Sequence, residues 1–551
     1  MNVIVLLLLT TFLGSLGALL LFIWSMSKGL FGSASAASRV IFEGREEGLA
    51  EDPAVQGAAG REQLQAAIDP SVSTDEHAVL TQEEADQRAV LDASSRLPVL
   101  LSLSFAVFWL VAASAFGLLA SLKLHLPDWL STQAWLTFGR IRPAHLTIVG
   151  YGWASTAAFG VATWLMPRLV RTPLIGSRTA VLGTVLWFTG VFSGVLAVLS
   201  GHSAGLEWLE FPWWCVVPMV VGGTCIGIAL LWTLLRQQVA HLYVSVWYIG
   251  AGLIWLPVLL IVAYWPGVHT GVQQAAMNWW YGHNVLGLWF SPIGLAAIYY
   301  LIPKVLGRPI HSYNLSLVGF WTLAFFYSQV GGHHLIGGPV PGWVISLSIV
   351  QSMMMIIPVV AVAINHHKTA WGHLGALRYS PTLRFIVLGA MLYTVASIQG
   401  SIEALRSVNR ITHFTHYTVA HAHLGLYGFF SMVMFGAMYF ILPRLLDWEW
   451  PSARLISAHF WLVTSGFAIY FGSLTIGGWL QGLAMLDAAR PFMDSVLVTK
   501  PYLVGRSVGG SLMTLGHLIF AWHFILMLGR RGEARVGATL LTSPVAARGA
   551  A

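Results

Sequence analysis

The decisive stretch is SVNRITHFTHYTVAHAHLG, residues 407–425, which ends with His421 and His423 inside apolar sequence. An imidazole there must find a partner or a metal, because hydrocarbon supplies neither water nor a counter-charge. At 3.6 residues per turn, two positions along a helix are about 200° apart around its axis. The two rings therefore leave opposite faces, and one helix can serve two different iron centres. Four more histidines lie in or at the ends of long apolar stretches: His145, His283 and the adjacent His333 and His334. Six such side chains suggest a redox machine inside a membrane.

Composition agrees. The chain has 551 residues, 56% hydrophobic and 9% charged, with mean hydropathy +0.71. Soluble domains carry about 25% charged residues. The sequence reads as an all-α polytopic membrane protein, with room for about a dozen spans of roughly 20 residues. The net charge of +7 is no nucleic-acid footprint, and no nucleic-acid partner is expected. Its basic residues gather in short loops, such as Arg168 with Arg171, Lys304 with Arg308, and Arg530 with Arg531, where they set topology. Cys215 and Cys225 form no CxxCH motif and no thiolate copper cluster, so a covalent haem or a second copper site must belong to another subunit.

A first span over about 3–24 lacks a basic leader and a small-residue cleavage site, so it reads as an uncleaved anchor. Residues 25–96 hold thirteen of the 22 acidic residues and read as a solvated, partly disordered or loosely helical linker. Twelve further spans are expected near 97–121, 142–167, 179–200, 213–236, 243–265, 277–303, 314–336, 341–365, 383–404, 415–443, 457–480 and 504–529. The organisation is thus an anchor (1–50), a polar cytoplasmic linker (51–96), a main domain (97–530) and a cytoplasmic tail (531–551). Lys28, Arg39 and Arg45 after the first span, with Arg530 and Arg531 after the last, put linker and tail inside and the N-terminus outside. No short-period repeat is visible. Glu403 is the one carboxylate beyond the linker that falls within an expected span. It is a functional candidate, unless it simply meets water or Arg406 at the helix end.

His283 stands near the start of one apolar run, and Tyr327 precedes His333 and His334 by six residues in the next. Three imidazoles suit a copper ion, and Gly331 and Gly332 loosen the helix enough for adjacent histidines to converge. His145 opens another run in GRIRPAHLTIVGYG, where Pro143 fits a first helical turn. Arg140 and Arg142 just before it are suited to anionic propionates.

GRIRPAH, WWYGHN, YYLIPK, the run from Tyr327 to His334, and SVNRITHFTHYTVAHAHLG together resemble the catalytic subunit of C-type (cbb3-type) haem–copper cytochrome c oxidases. The resemblance covers about 97–530 and implies a twelve-helix haem–copper oxidase bundle, here with one extra N-terminal transmembrane helix. It implies that His145 and His423 are axial ligands of a low-spin haem b, and His421 that of a high-spin haem b. His283, His333 and His334 would bind the facing copper. Tyr327 matches an active-site tyrosine covalently joined to the histidine at His283, and His413 one near the propionates. The family also implies a structural calcium ion, O2 as substrate, membrane-anchored c-type cytochrome subunits, a soluble or membrane cytochrome c donor, and the bacterial inner membrane. Protons are expected along hydroxyls and water, with Tyr300, Tyr313 and Ser316 as candidates, each equally suited to packing or an interface.

Two departures stand out. Gln399 and His416 occupy positions where the family has a glutamate and an aspartate. Glu403 is one turn from Gln399 and shares its face, so it can partly compensate. Residues 1–50, with one span and then ASRVIFEG, resemble a small single-span assembly protein found with these oxidases. Two other functions compete. Nitric oxide reductases of the superfamily place a glutamate in the span bearing the first metal histidine, whereas HNVLGLWF has no acid. A cofactor-free membrane transporter relaying protons through histidines is the third reading.

Overall fold

The computed structural model describes residues 2–29, 33–43, 46–72 and 82–533. Arg45 and most of the tail, 534–551, lie outside them. The described residues contain no β-strand. Among the described residues, eleven helices are long and apolar enough to cross a membrane. They are α1 (Asn2–Ser27), α2 (Gln82–Lys123), α4 (Ser177–Ser200), α5 (Trp213–Leu235), α6 (Val244–Tyr264), α7 (Gly271–Leu306), α9 (Gly342–Ala370), α10 (Pro381–Glu403), α11 (His416–Leu446), α12 (Ala453–Leu486) and α13 (Phe492–Leu528). The other two expected spans are helical as well. One is α3, running as Phe138–Thr147, Ile148–Ala154 and Ser155–Val170, and the other is the 15-residue α8 (Tyr313–Tyr327).

Three helices form the centre. The inner halves of α3, α7 and α11 are almost wholly buried, while their neighbours turn Leu, Ile, Val and Trp outward. Each of the three contains a π-helical segment, Ile148–Ala154, Leu286–Phe290 and Leu424–Ser431, which starts one to three residues after a candidate ligand histidine. The serine that ends or follows each segment (Ser155, Ser291, Ser431) stands twelve residues before a proline and its cation: Pro167-Arg168, Pro303-Lys304 and Pro443-Arg444. This is a long-period repeat, beyond the short-period repeats for which the sequence offers no sign. Its members touch. Trp289 Nε1 donates to Ser155 Oγ (3.0 Å) and Trp153 Nε1 to Ser431 Oγ (2.9 Å). In the third position Phe429 packs on Gly294, where a Cβ would meet the ring at 2.5 Å.

The segment expected to be a solvated linker is corrected by the structure. Residues 33–43 and 46–69 lie against the helix ends, with Glu46, Glu51, Asp52 and Gln65 buried. Each repeated cation meets one carboxylate: Arg168 with Asp92 (2.6 Å), Lys304 with Glu46, and Arg444 with Glu51. Asp52 accepts from Ser380 Oγ and Thr382 Oγ1, both at 2.6 Å. Three cations at helix ends in a poorly hydrated layer need counter-charges, and composition alone cannot show which carboxylates are thus committed. Helix α1 packs on α8, with Phe22 stacked on Trp321 (5.3 Å) and Phe12 near Phe325 (5.6 Å).

Candidate metal centres

His283 on α7 and His333 and His334 on the 3₁₀ turn Gly332–Leu335 present ligand atoms that all lie within 4.8 Å of one another. The turn forms because Gly331 adopts φ +117°, and a Cβ there would meet Trp279 O at 2.5 Å. Ser348 Oγ lies 3.1 Å from His333 N and 3.0 Å from its Nδ1, and Ser352 Oγ 3.2 Å from the same Nδ1. These contacts fix the ring and leave Nε2 for a metal. Trp279 stacks on His334 at 4.3 Å. His283 Nδ1 is buried with no partner among the described residues, as a metal ligand would be in a ligand-free structure. The Tyr327 ring stands 5.2 Å from His283, and Gly287, one turn on, leaves space that its face fills.

The facing wall belongs to His421. It lines one cavity with His283, His333, His334, His413 and Glu403. Glu403 Oε1 lies 4.0 Å from His421 Nδ1, so it sits behind the ring, while Arg406 turns away to Ser346. Gly400 admits His421 closely, since a Cβ would lie 2.9 Å from its Cε1.

His423 leaves the other face of α11, as the two-residue spacing requires, and meets His145. Their rings are nearly parallel, 16° apart, with centres 6.5 Å apart. Two metal–nitrogen bonds of about 2 Å plus the ring half-widths span roughly that distance. Each Nδ1 bonds a backbone carbonyl, His145 to Ala113 (2.9 Å) and His423 to Val419 (2.8 Å), which aims both Nε2 atoms inward. Gly117 lets the His145 ring in, for a Cβ would come 2.5 Å from it. The residues fit a flat metal macrocycle held from both faces.

Other expected residues are placed less simply. Arg142 pairs with Glu207 (2.6 Å), and Arg140 donates to Leu199 O (3.0 Å). Arg506 on α13, not expected from the sequence, lies 5.5 Å from the Tyr470 ring with Nε buried and no partner among the described residues. The Tyr470 hydroxyl is in turn 3.1 Å from His423 Nε2. A lone arginine in an apolar span was the available signal. Gln399 Oε1 is buried without a partner among the described residues. Tyr313, Ser316 and Tyr300 do not form one chain. The Tyr313 hydroxyl donates to Leu242 O, Ser316 Oγ to Tyr313 O, and Tyr300 packs between Trp164 and Phe440. Tyr299, about 100° around the helix, instead faces His366 (4.3 Å) and Tyr248 (5.8 Å).

Comparison with known proteins decides the family. Residues 98–512 match the family model described as Cytochrome C and Quinol oxidase polypeptide I. The chain belongs to that family. It is 30% identical over 435 residues to the cbb3-type cytochrome c oxidase subunit CcoN1 of Stutzerimonas stutzeri, covering 76% of this chain and 91% of that one. Subunit 1 of the Rhodobacter capsulatus cytochrome c oxidase is 32% identical over 408 residues, 70% of this chain and 76% of the other. A nitric oxide reductase polypeptide of Stutzerimonas stutzeri is 24% identical over 460 residues, 76% of this chain and 92% of that one. Among solved structures, a haem–copper terminal oxidase dimer matches with TM-score 0.62 at 16% identity, covering 83% of this chain and 86% of that one. The chain is thus a multi-pass membrane oxidoreductase of a family that works with haem and copper. The cofactor-free transporter reading falls with that assignment.

Proposed function

We propose that the chain is the catalytic subunit of a terminal respiratory oxidase of the bacterial inner membrane, reducing O2 to water with electrons from a c-type cytochrome and taking up protons. The observation that carries the reading is the copper-type triad of His283, His333 and His334 beside Tyr327, facing His421 across one cavity. His145 and His423 would hold a low-spin haem b, His421 a high-spin haem b and the triad one copper. Bound there, the metals supply electron transfer and an open position for oxygen. The protein's own part is to hold these rings and move protons. Tyr327 holds a phenolic proton against His283, and the resemblance makes it the partner in a covalent Tyr–His link.

Tyr299, Tyr248 and His366 are better placed than Tyr300 to pass protons inward. Glu403, behind His421, takes the place along α10 that Gln399 leaves neutral. Arg506 and His413 are the groups offered to haem propionates, with Arg140 and Arg142 engaged elsewhere. Outside the spans, Glu210 has both carboxylate oxygens buried without a partner among the described residues.

Nitric oxide reduction is the second reading, favoured by Glu403 in the metal cavity. Against it, Glu403 approaches His421 and is not in the triad. Purified protein should show a reduced b-haem spectrum and copper near one atom per two haems, and should consume oxygen with reduced cytochrome c. Extra non-haem iron with nitric oxide consumption and no oxygen uptake would overturn the oxidase reading.

A further inference from the structure

Three buried histidines take no part in these centres: His459 on α12, and His517 and His523 on α13. They are not scattered. At the end of the bundle assigned to the cytoplasm, the half-exposed Ser452 donates its backbone N–H to His523 Nε2 (3.2 Å). The His523 ring faces that of Tyr439 with centres 6.4 Å apart, and its Nδ1 has no partner among the described residues. The Tyr439 hydroxyl is 3.0 Å from His459 Nδ1. His459 Nε2 again has no partner among the described residues, and its ring stands 6.5 Å from His517.

His517 closes the series. Its Nδ1 lies 2.7 Å from Ser114 Oγ and its Nε2 2.8 Å from the Tyr427 hydroxyl. Ser114 Oγ already donates to Leu110 O (2.7 Å), so it accepts from His517 Nδ1–H, and Nε2 is left to accept from Tyr427. Tyr427 follows His423 by four residues on α11.

Phe435 and Phe520 pack around these rings, so the polar groups form a line through apolar surroundings. A buried imidazole with an open nitrogen costs stability, and the two open nitrogens fall at the two gaps in the line. Each gap is of a size that one water or a ring rotation bridges. Beyond Ser114 the α2–α13 seam stays polar, for Ser121 Oγ meets Ser507 Oγ (2.8 Å), which meets His125 Nε2 (2.9 Å) near the outer end.

We propose that Tyr439, His459, His517 and Tyr427 form a proton relay from the cytoplasmic face to the low-spin site, separate from the tyrosines that lead to Tyr327. The inference rests on reading His145 and His423 as iron ligands. His459 takes a proton on Nδ1 from Tyr439 and gives one from Nε2. His517, whose nitrogens face Ser114 and Tyr427, turns its ring to receive it and then gives a proton to Tyr427, whose hydroxyl has rotated away. Each hydroxyl passes its proton on and regains one from behind. Only N–H and O–H bonds form and break, no electron moves along the line, and the net result is one proton carried inward. A haem held by His145 and His423 would supply, when reduced, added negative charge in a low-dielectric region, where its pull on a proton would be strong.

The test uses the full protein in liposomes, with the b-haem spectrum, oxygen uptake and pH-dye signal recorded on each sample. In Tyr439→Phe and His459→Gln the b-haem spectrum should persist while the protons translocated per oxygen are lost, leaving those consumed in forming water. Ser465→Ala, at an exposed site of α12, should keep the parent ratio. A readout without turnover comes from cyanide-blocked protein carrying ¹⁵N-labelled histidine rings. Imidazolium bands in its reduced-minus-oxidised infrared difference spectrum, which report protonation of ring nitrogens that hold no metal, should disappear in Tyr427→Phe while the bands of the ligand histidines remain. Parent-like proton ratios in both Tyr439→Phe and His459→Gln would overturn the relay. If His459→Gln fails to assemble, Tyr439→Phe, which removes only a hydroxyl, decides alone. A parent without b-haem absorbance would refute the underlying reading instead, which is a distinct result.

Discussion

Replacing Glu46 with Gln should destabilise the protein by about 3 kcal/mol, at the lower end of the 3–5 kcal/mol typical of breaking a buried ion pair. Side-chain exposure is 1% for Lys304 and 5% for Glu46, so the ammonium left behind is out of water. It keeps Ile41 O as an acceptor at 2.9 Å and the Phe42 ring at 5.9 Å, and Arg88 keeps Glu43, which is why the upper end is not reached. Lys304→Met should cost less, because Glu46 retains Arg88 at 3.0 Å. The double variant Glu46→Leu/Lys304→Met should return to within about 1 kcal/mol of the parent, since apolar side chains of similar volume replace the pair without a desolvation penalty. Equilibrium denaturant unfolding in mild micelles, followed by tryptophan fluorescence, of the parent, Glu46→Leu, Lys304→Met and the double variant supplies the four corners of the cycle. A coupling below about 0.5 kcal/mol, the scatter expected of independent sites, would refute the claim that residues 46–69 are locked onto the helix ends.

Gly287→Ala places a methyl group in the space of the Tyr327 ring, which must move off His283. Displacements of about 1 Å at a reacting group cost on the order of 10²-fold in rate, so turnover should fall by that order while the b-haem spectrum persists. Glu210→Gln tests the loop before α5, where burial pushes the carboxyl up to about 8. A folded-state value above that of the unfolded chain means stability is full below the ordinary carboxylate range and falls as pH rises toward about 8. The Gln variant should flatten that slope in pH-dependent thermal unfolding, and an unchanged slope would show that Glu210 is not the group responsible.

The six histidines were legible because an imidazole in apolar sequence has few innocent explanations, and the i, i+2 spacing alone separated His421 from His423. Span positions followed from apolar runs. Tyr299 and Tyr300 were not separable, since adjacent residues differ only in helical phase, and phase is set by the π turn at Leu286–Phe290, which leaves no mark in composition. The acids of 43–69 looked like a solvated linker because pairing is a property of three dimensions. Arg506 was not picked out from the sequence, although a lone cation in an apolar span carries the same signal as the lone carboxylate Glu403.

The repeat explains why these features occur together. A π turn inserts one residue, which rotates everything after it by about 100°. On α3, α7 and α11 that insertion follows the histidines, so the half before it can aim imidazoles at metals while the π segment and the serine at its end turn Trp153, Trp289, Phe429, Ser155 and Ser431 toward the other central helices. The same inner halves end in Pro167-Arg168, Pro303-Lys304 and Pro443-Arg444, which brings three cations together at one end of a buried core. Such charges are tolerable only when each is paired. Asp92, Glu46 and Glu51 pair them one by one, so the chain between the first span and the start of α2, with the first turns of α2 itself, completes a charge pattern that the metal-bearing helices create.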